Sequence, residues 1–200
     1  KIYVYIKLRG CTMFIQVEET PNPATLKFLP GETVMEEGTA EFTDKDDAAR
    51  SPLARAIFEL PGVSRVFFGD DFISVTKTDE KQWMLLKPRV LGAVMEHFSN
   101  KQPLFTGDGA QTANVQDDDG EPDDEITRQI KEILDTRVRP SVAMDGGDIV
   151  FQRFEDGVLY LKMQGACAGC PSSTMTLKSG IENMMRHFIP EVEEVRASDE

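Results

Sequence analysis

The sequence predicts an α+β protein made of two small two-layer α/β-sandwich domains joined by a flexible acidic linker. Three observations lead there. The stretch 99–122, SNKQPLFTGDGAQTANVQDDDGEP, shows neither helical nor strand periodicity and holds five acidic residues against one basic. A structureless run of that length inside one compact domain is improbable, so it separates two. Each half also carries a hairpin signal, two apolar runs parted by a turn, beside amphipathic helices. The second half runs helix, hairpin, cysteine loop, helix, short strand, which packs as a sheet with its helices on one face. The domains are therefore 13–98 and 123–200, with 99–122 between them.

In the first domain, Met13 to Val17 and Leu26 to Phe28 read as strands on either side of a segment whose Pro21 and Pro23 forbid a continuous helix. Ser51 before Pro52 is a helix N-cap with proline at the first helical position, and Leu53, Ala56, Ile57 and Leu60 then share one face. Pro61-Gly62 stops that helix. Val63 to Phe68 and Phe72 to Thr76, parted by Gly69-Asp70-Asp71, form a hairpin. A longer helix over 79–98 presents Trp83, Leu86, Val90, Val94 and Phe98, and Pro88 kinks it or marks its true start.

In the second domain, Asp123, Asp124 and Glu125 open a helix with Ile126, Ile130, Ile133 and Leu134 on its apolar side, and Arg137 and Arg139 close it. Asp145-Gly146-Gly147-Asp148 is a tight turn. Ile149 to Phe154 and Val158 to Met163 flank Glu155-Asp156-Gly157 as a second hairpin. From Ser172 to Ile189 a helix repeats apolar residues at Leu177, Ile181, Met184 and Phe188 until Pro190 ends it, and Val192 to Val195 adds an edge strand.

Composition removes several function classes. The formal net charge is −13 with no cluster of Lys or Arg, so phosphate backbones are repelled and nucleic acid is no partner. The longest apolar runs, such as Val63 to Phe68, fall far short of the roughly 20 residues that span a bilayer. The opening KIYVYIKLRG has charges at both ends and in the middle, unlike a secretory signal, and residues 1–12 are assigned to neither domain. Three cysteines do not make a secreted disulfide framework, so a reducing compartment is expected, a bacterial cytoplasm first and the mitochondrial matrix as the alternative.

The chemistry concentrates in GACAGCPSS, residues 165–173, which sets Cys167 and Cys170 three apart where a strand gives way to a helix. Helix N-termini favour anions, so both thiols are expected to ionise more readily than free cysteine, and small neighbours leave the sulfurs open on a loop outside the core. Four uses compete: a buried structural pair, a thioredoxin-like redox pair, a zinc site, and a metal cluster shared between two chains. The redox motif usually lies beside the first strand of a βαβ unit, whereas this one follows a hairpin, which lowers its weight. A zinc ion needs four ligands. His187 lies seventeen residues beyond Cys170 on the same helix, roughly 25 Å away at about 1.5 Å per residue. His97 and Cys11 belong to the other half. Two chains, set face to face, would supply the four thiolates that an iron–sulfur cluster takes, although tetrahedral zinc could use the same sulfurs.

The second half, through RPSVAMDGGDIVFQRFEDGVLYL and MQGACAGCPSSTMTLKSGIENMMRHFIPEVEEV, resembles the C-terminal domain of the NifU/Nfu iron–sulfur cluster scaffold and carrier proteins. The first half, through FIQVEETPNPATLKFLPG, SPLARAIFELPGVSRVFFGDDFISVTK and WMLLKPRV, is similar to the Nfu N-terminal domain. The resemblance implies that Cys167 and Cys170 are cofactor and metal ligands, and that a [4Fe-4S] cluster, or a [2Fe-2S] cluster, bridges a homodimer. It further implies upstream cluster assembly proteins as donors, apo iron–sulfur proteins as acceptors, and a carrier in place of an enzyme. The alternatives are a dithiol-disulfide oxidoreductase and a dimeric zinc-binding module.

Overall fold

The computed structural model describes residues 2–5, 14–106, 124–169 and 171–198. The chain divides into two compact units, Lys1–Val115 and Gln116–Glu200. The fold class is α+β, as the alternation of patterns requires.

The first unit is one antiparallel sheet in the order β1-β2-β3-β6-β5-β4, formed by β1 (Ile2–Tyr5), β2 (Phe14–Glu19), β3 (Thr25–Leu29), β4 (Ala40–Phe42), β5 (Val63–Phe68) and β6 (Ile73–Lys77). Helices α1 (Lys45–Ala48), α2 (Pro52–Phe58) and α3 (Trp83–Ser99) accompany it. The expected β5–β6 hairpin is present, with Val66 opposite Val75 and Phe68 opposite Ile73. Ser51 caps α2 as its sequence suggests, its Oγ accepting from Ala54 N at 3.2 Å, and Pro52 follows at the first helical position. The buried face of α2 is Leu53, Ala54, Ile57 and Phe58, with Ala56 and Leu60 only half-buried.

Three features differ from expectation. Residues 2–5, assigned to neither domain by sequence, pair with β2 as an edge strand, Ile2 opposite Val17. Helix α3 begins at Trp83, not at Asp79, and carries Pro88 in its interior. The preceding segment is used otherwise: Thr78 N donates to Gly62 O and Lys81 N to Thr78 O, which closes a turn over the end of α2. Residues 99–106, placed in the linker, pack on this unit: Leu104 and Phe105 lie against its core and Thr106 N donates to Arg50 O at 2.9 Å. The remainder of the linker, 107–122, lies outside the described residues, as do Cys11, Met13 and Asp123.

The second unit opens with α4 (Glu125–Ile133), a π-helical turn (Leu134–Val138) and α5 (Arg139–Met144). Asp124 caps α4 by accepting from Thr127 N at 2.7 Å. The helix does not close at Arg137 and Arg139 but runs on to Met144. The residues it buries are Ile130, Leu134, Val138 and Val142, at steps of four. In an α-helix a four-residue step drifts about 40° per turn, so three steps would carry Val142 off the core face. A wider π turn in the middle resets the drift.

Strands β7 (Gly147–Glu155) and β8 (Val158–Gly165) form the expected hairpin, whose turn residues Asp156 and Gly157 both take positive φ, 49° and 78°. That pair of left-handed residues closes a tight two-residue hairpin turn, and glycine supplies one of them without strain. Helix α6 (Pro171–Phe188) leads to β9 (Glu194–Ser198), which pairs parallel to β8, giving the sheet order β7-β8-β9. Ile149, Leu159, Leu161 and Val195 of the sheet bury against Ile130, Leu134, Ile181 and Met185 of the helices. Phe188, expected on the apolar face of α6, is 43% exposed and carries the Arg137 guanidinium at 4.6 Å from its ring centre, while Ile189 takes the core position.

Candidate metal centre

The cysteine loop joins the end of β8 to the start of α6. Gly165 is paired with Gly147 at the open end of the hairpin. Ala166 N then donates to Gly146 O at 3.1 Å, Cys167 N to Gln164 O at 3.3 Å and Ala168 N to Gly165 O at 3.3 Å. These bonds fold the loop back onto the Gly146-Gly147 turn. A Cβ on Gly147 would lie 2.6 Å from Gln164 O and 2.7 Å from Cys167 Sγ, so glycine there lets the sulfur rest against the β7 backbone.

The consequence reverses two expectations about Cys167. It does not stand open on a loop: it is 6% exposed and belongs to the same apolar cluster as Met163, Ile181 and Met185. Nor is its ionisation eased. Burial pushes the Cys167 thiol up from 9.0 to about 12, and the carboxylates of Asp145 and Asp148 push the same way. A helix terminus favours a thiolate that touches its free N–H groups, whereas Cys167 lies four positions before Pro171 and points back at β7.

Its ordinary thiol value lies below its folded one, so the folded state holds this proton more tightly than the unfolded chain. The stability due to the neutral thiol is complete below pH 9.0 and lost as pH rises toward about 12. Urea unfolding of the metal-free protein across that range is expected to show a falling midpoint, with the slope reduced in Cys167→Ala; equal slopes would contradict the assigned burial.

Around the thiol stands a polar frame. Arg139 grips the buried Asp148 with two parallel bonds, Nε to Oδ1 at 2.9 Å and Nη2 to Oδ2 at 2.8 Å, and also reaches Asp135 at 3.1 Å. Asp148 Oδ1 further accepts from Ile149 N at 2.8 Å. The fork fixes the start of β7, hence Gly147 beneath the sulfur. Opposite Asp148 on β8 sits Gln164, fully buried, whose Oε1 has no hydrogen-bond partner among the described residues. Sequence reasoning took Asp145 to Asp148 only as a turn and Arg139 only as a helix-end charge; the adjacent glycines were the available signal of a close backbone approach.

Cys170 lies outside the described residues. His187 sits near the far end of α6 and is exposed, and His97 belongs to the first unit, where it is buried. Among the described residues no group of three or more His, Cys, Asp or Glu could hold a metal ion. By sequence the loop carries two thiols, Cys167 and Cys170, a donor type that suits iron or zinc. The structure also weakens one argument against a redox pair: β8, α6 and the parallel β9 form a βαβ unit with the cysteines at its first strand-to-helix turn.

Residues 15–101 match the family described as scaffold protein Nfu/NifU N terminal, and residues 130–196 match the NifU-like domain. The chain is 53% identical over 186 residues to NifU-like protein 5, mitochondrial, of Arabidopsis thaliana, covering 92% of this chain and 67% of that protein. It is 50% identical over 184 residues to the Homo sapiens NFU1 iron-sulfur cluster scaffold homolog, mitochondrial, covering 92% of this chain and 71% of that protein. The chain belongs to the Nfu/NifU scaffold family. It spans about two thirds of the length of the relatives it matches. Among solved structures, Staphylococcus aureus protein SAV1430 aligns at 31% identity with TM-score 0.37 over 40% of this chain and 95% of that one. A Saccharomyces cerevisiae NifU-like protein aligns at 22% identity with TM-score 0.45 over 52% and 93%.

These Nfu relatives are named mitochondrial, which lends no support to the bacterial cytoplasm expected from sequence. Among the described residues no helix is long and apolar enough to cross a membrane.

Proposed function

We propose that this Nfu protein is an iron–sulfur cluster carrier that assembles or receives a [4Fe-4S] cluster on Cys167 and Cys170, shared by two copies of the chain, and passes it to apo-proteins. The observation that carries the reading is the two-thiol loop between β8 and α6 in a chain half identical to a relative named as an iron-sulfur cluster scaffold. One copy offers two sulfurs; a cubane asks for four, one per iron, and a two-fold axis supplies them. The chain 13–98, together with the residues 99–106 packed on it, serves as the module accompanying the cluster-bearing 123–200. The relatives' names, which say mitochondrial, favour that organelle over a bacterial cytoplasm.

The cluster is cargo. To bind iron, Cys167 gives its proton to solvent and becomes a thiolate. On delivery a thiolate of the acceptor bonds to the iron, the Cys167–iron bond breaks, and the departing sulfur takes a proton back. Its burial beside Asp145 and Asp148 favours that neutral end state. Each copy holds half of the coordination shell, so release follows separation of two chains and needs no rupture of a closed cage. No residue has to act as general acid, base or covalent nucleophile, in keeping with the relatives' scaffold names.

Anaerobic reconstitution is expected to give about four iron and four sulfide per two chains, with native mass spectrometry showing the loaded species as a dimer. A loaded monomer, or a colourless dimer with one zinc, would overturn the reading. The dithiol oxidoreductase is the second reading, favoured by the βαβ placement of the loop. A buried Cys167 with its thiol held near pKa 12 is a poor attacking thiolate, which counts against it. A disulfide-reductase assay decides between the two.

A further inference from the structure

The first unit holds a groove of about 640 Å³ between the end of β2 and the first two turns of α3, within the range of ligand-binding clefts. Its floor is the rim of the core, Val17 and Leu26. The core itself is closed further along α3 by Leu86 and Val90, which leaves the first turn of the helix to line the groove. Trp83 Nε1 donates to Pro23 O at 3.2 Å and so ties that turn to the segment joining β2 and β3. Met84, the next residue of the lining, is 80% exposed and is not needed for the core. A fixed aromatic ring thus stands beside a pliable thioether, which moulds to irregular apolar surface better than a branched residue.

We infer that this groove is a docking site for an amphipathic helix of another protein, seated apolar face down on Val17, Leu26, Trp83 and Met84, with lysine or arginine along the flank that faces β2. The groove lies wholly in the first unit and is independent of the thiol loop in the second.

Shape and charge select that occupant. On the wall formed by α3, Trp83 and Lys87 stand four residues apart, as do Met84 and Pro88, so the wall has two parallel rows of the kind between which a second helix packs its own ridge. The wall formed by β2 is acidic: Glu18 and Glu19 line it, and Glu19 is exposed. Pro88 has no N–H, so the Met84 carbonyl lacks its usual helical donor and adds an acceptor at the rim. Lys87 on the helical wall sets the orientation, with the basic flank of the occupant turned toward β2. The net charge of −13 draws a basic segment from a distance and repels both a second copy and the chain's own acidic linker.

The test uses the full metal-free chain and a synthetic peptide of about 18 residues, built of Leu, Ala, Lys and Gln, with leucines at helical spacing on one face and lysines on its flanks. Trp83 is the chain's single tryptophan and the peptide has none, so tryptophan emission reads the groove directly. Two control peptides carry Glu in place of Lys, or the same composition scrambled so that no apolar face forms. The variants are Met84→Ser and Glu19→Lys. Both side chains are exposed, so each variant is expected to melt within about 2 °C of wild type. Sedimentation of the peptide-free proteins completes the set.

Wild type is expected to bind the basic amphipathic peptide with Kd on the order of 10–100 μM at low salt, with a blue shift of its emission as the peptide covers Trp83. Met84→Ser is expected to weaken binding about tenfold. Glu19→Lys is expected to weaken it at least about threefold and to flatten its salt dependence. Neither control peptide is expected to move the emission. A wild-type emission that stays put up to about 1 mM peptide overturns the inference, as does wild-type affinity in either variant. Equal binding of the Glu peptide removes the basic occupant, and equal binding of the scrambled peptide reduces the contact to charge alone; either result overturns the inference. Self-association of the peptide-free chain that Met84→Ser abolishes assigns the groove to a second copy and overturns it as well.

Discussion

Cys167→Ala and Cys170→Ala, each made alone, are expected to bring reconstituted iron and sulfide below about a tenth of wild type. In a site shared about a two-fold axis every substitution counts twice, so one change leaves two sulfurs where a four-iron cluster takes four. The fold is expected to survive. Cys167 is buried among Met163, Ile181 and Met185, so its loss costs on the order of 1 kcal/mol, the usual size for a single change, and the far-ultraviolet dichroism stays that of the wild type. Cys11→Ala should leave the iron content unchanged. A cluster retained at wild-type stoichiometry in either CxxC variant would remove these residues from the site.

Gly147→Ala is expected to have the next largest effect, on stability and loading together. The added methyl would lie 2.6 Å from the Gln164 carbonyl oxygen and 2.7 Å from the Cys167 sulfur. The carbonyl belongs to the paired strand and cannot swing away, so either β7 and β8 part at their open end or the sulfur is driven off its seat. Such overpacking costs about 1–3 kcal/mol. Gly180→Ala on α6 is the control: a Cβ there meets nothing within 4 Å, and exchanging a helical glycine for alanine should stabilise the helix by about 0.5–1 kcal/mol. Urea denaturation of both variants, followed by iron analysis after reconstitution, reads the contrast. If Gly147→Ala unfolds at the wild-type midpoint, Cys167 does not rest on this glycine.

The legible parts of the fold were those written in local periodicity and punctuation. Ser51-Pro52 capped a helix as read and Gly69-Asp70-Asp71 closed a hairpin as read, while the Glu155-Asp156-Gly157 turn closed its hairpin with Glu155 drawn into β7. Elements too short to show a period escaped: the three-residue β4 and the four-residue α1. The π turn escaped because it answers a packing need, the return of Val142 to the core after three steps of four. Pro88 left the start of α3 open between a kink and a true beginning; five helical residues, Trp83 to Lys87, precede it, and Leu86 among them is already in the core.

The thiol loop divides along the same line. Its residue types and spacing, two cysteines among glycine and alanine between a strand and a helix, stood in the sequence by themselves, and the family resemblance proposed them as ligands. Only the tertiary structure decided how Cys167 is held. Gly147, Asp148 and Arg139 lie 20, 19 and 28 positions upstream of it, and no local pattern says that the first lies under the sulfur while the other two fix the strand beneath. Ionisation depends on what surrounds a group, and burial with two carboxylates near overrode the helix terminus that sequence alone had put beside the thiol.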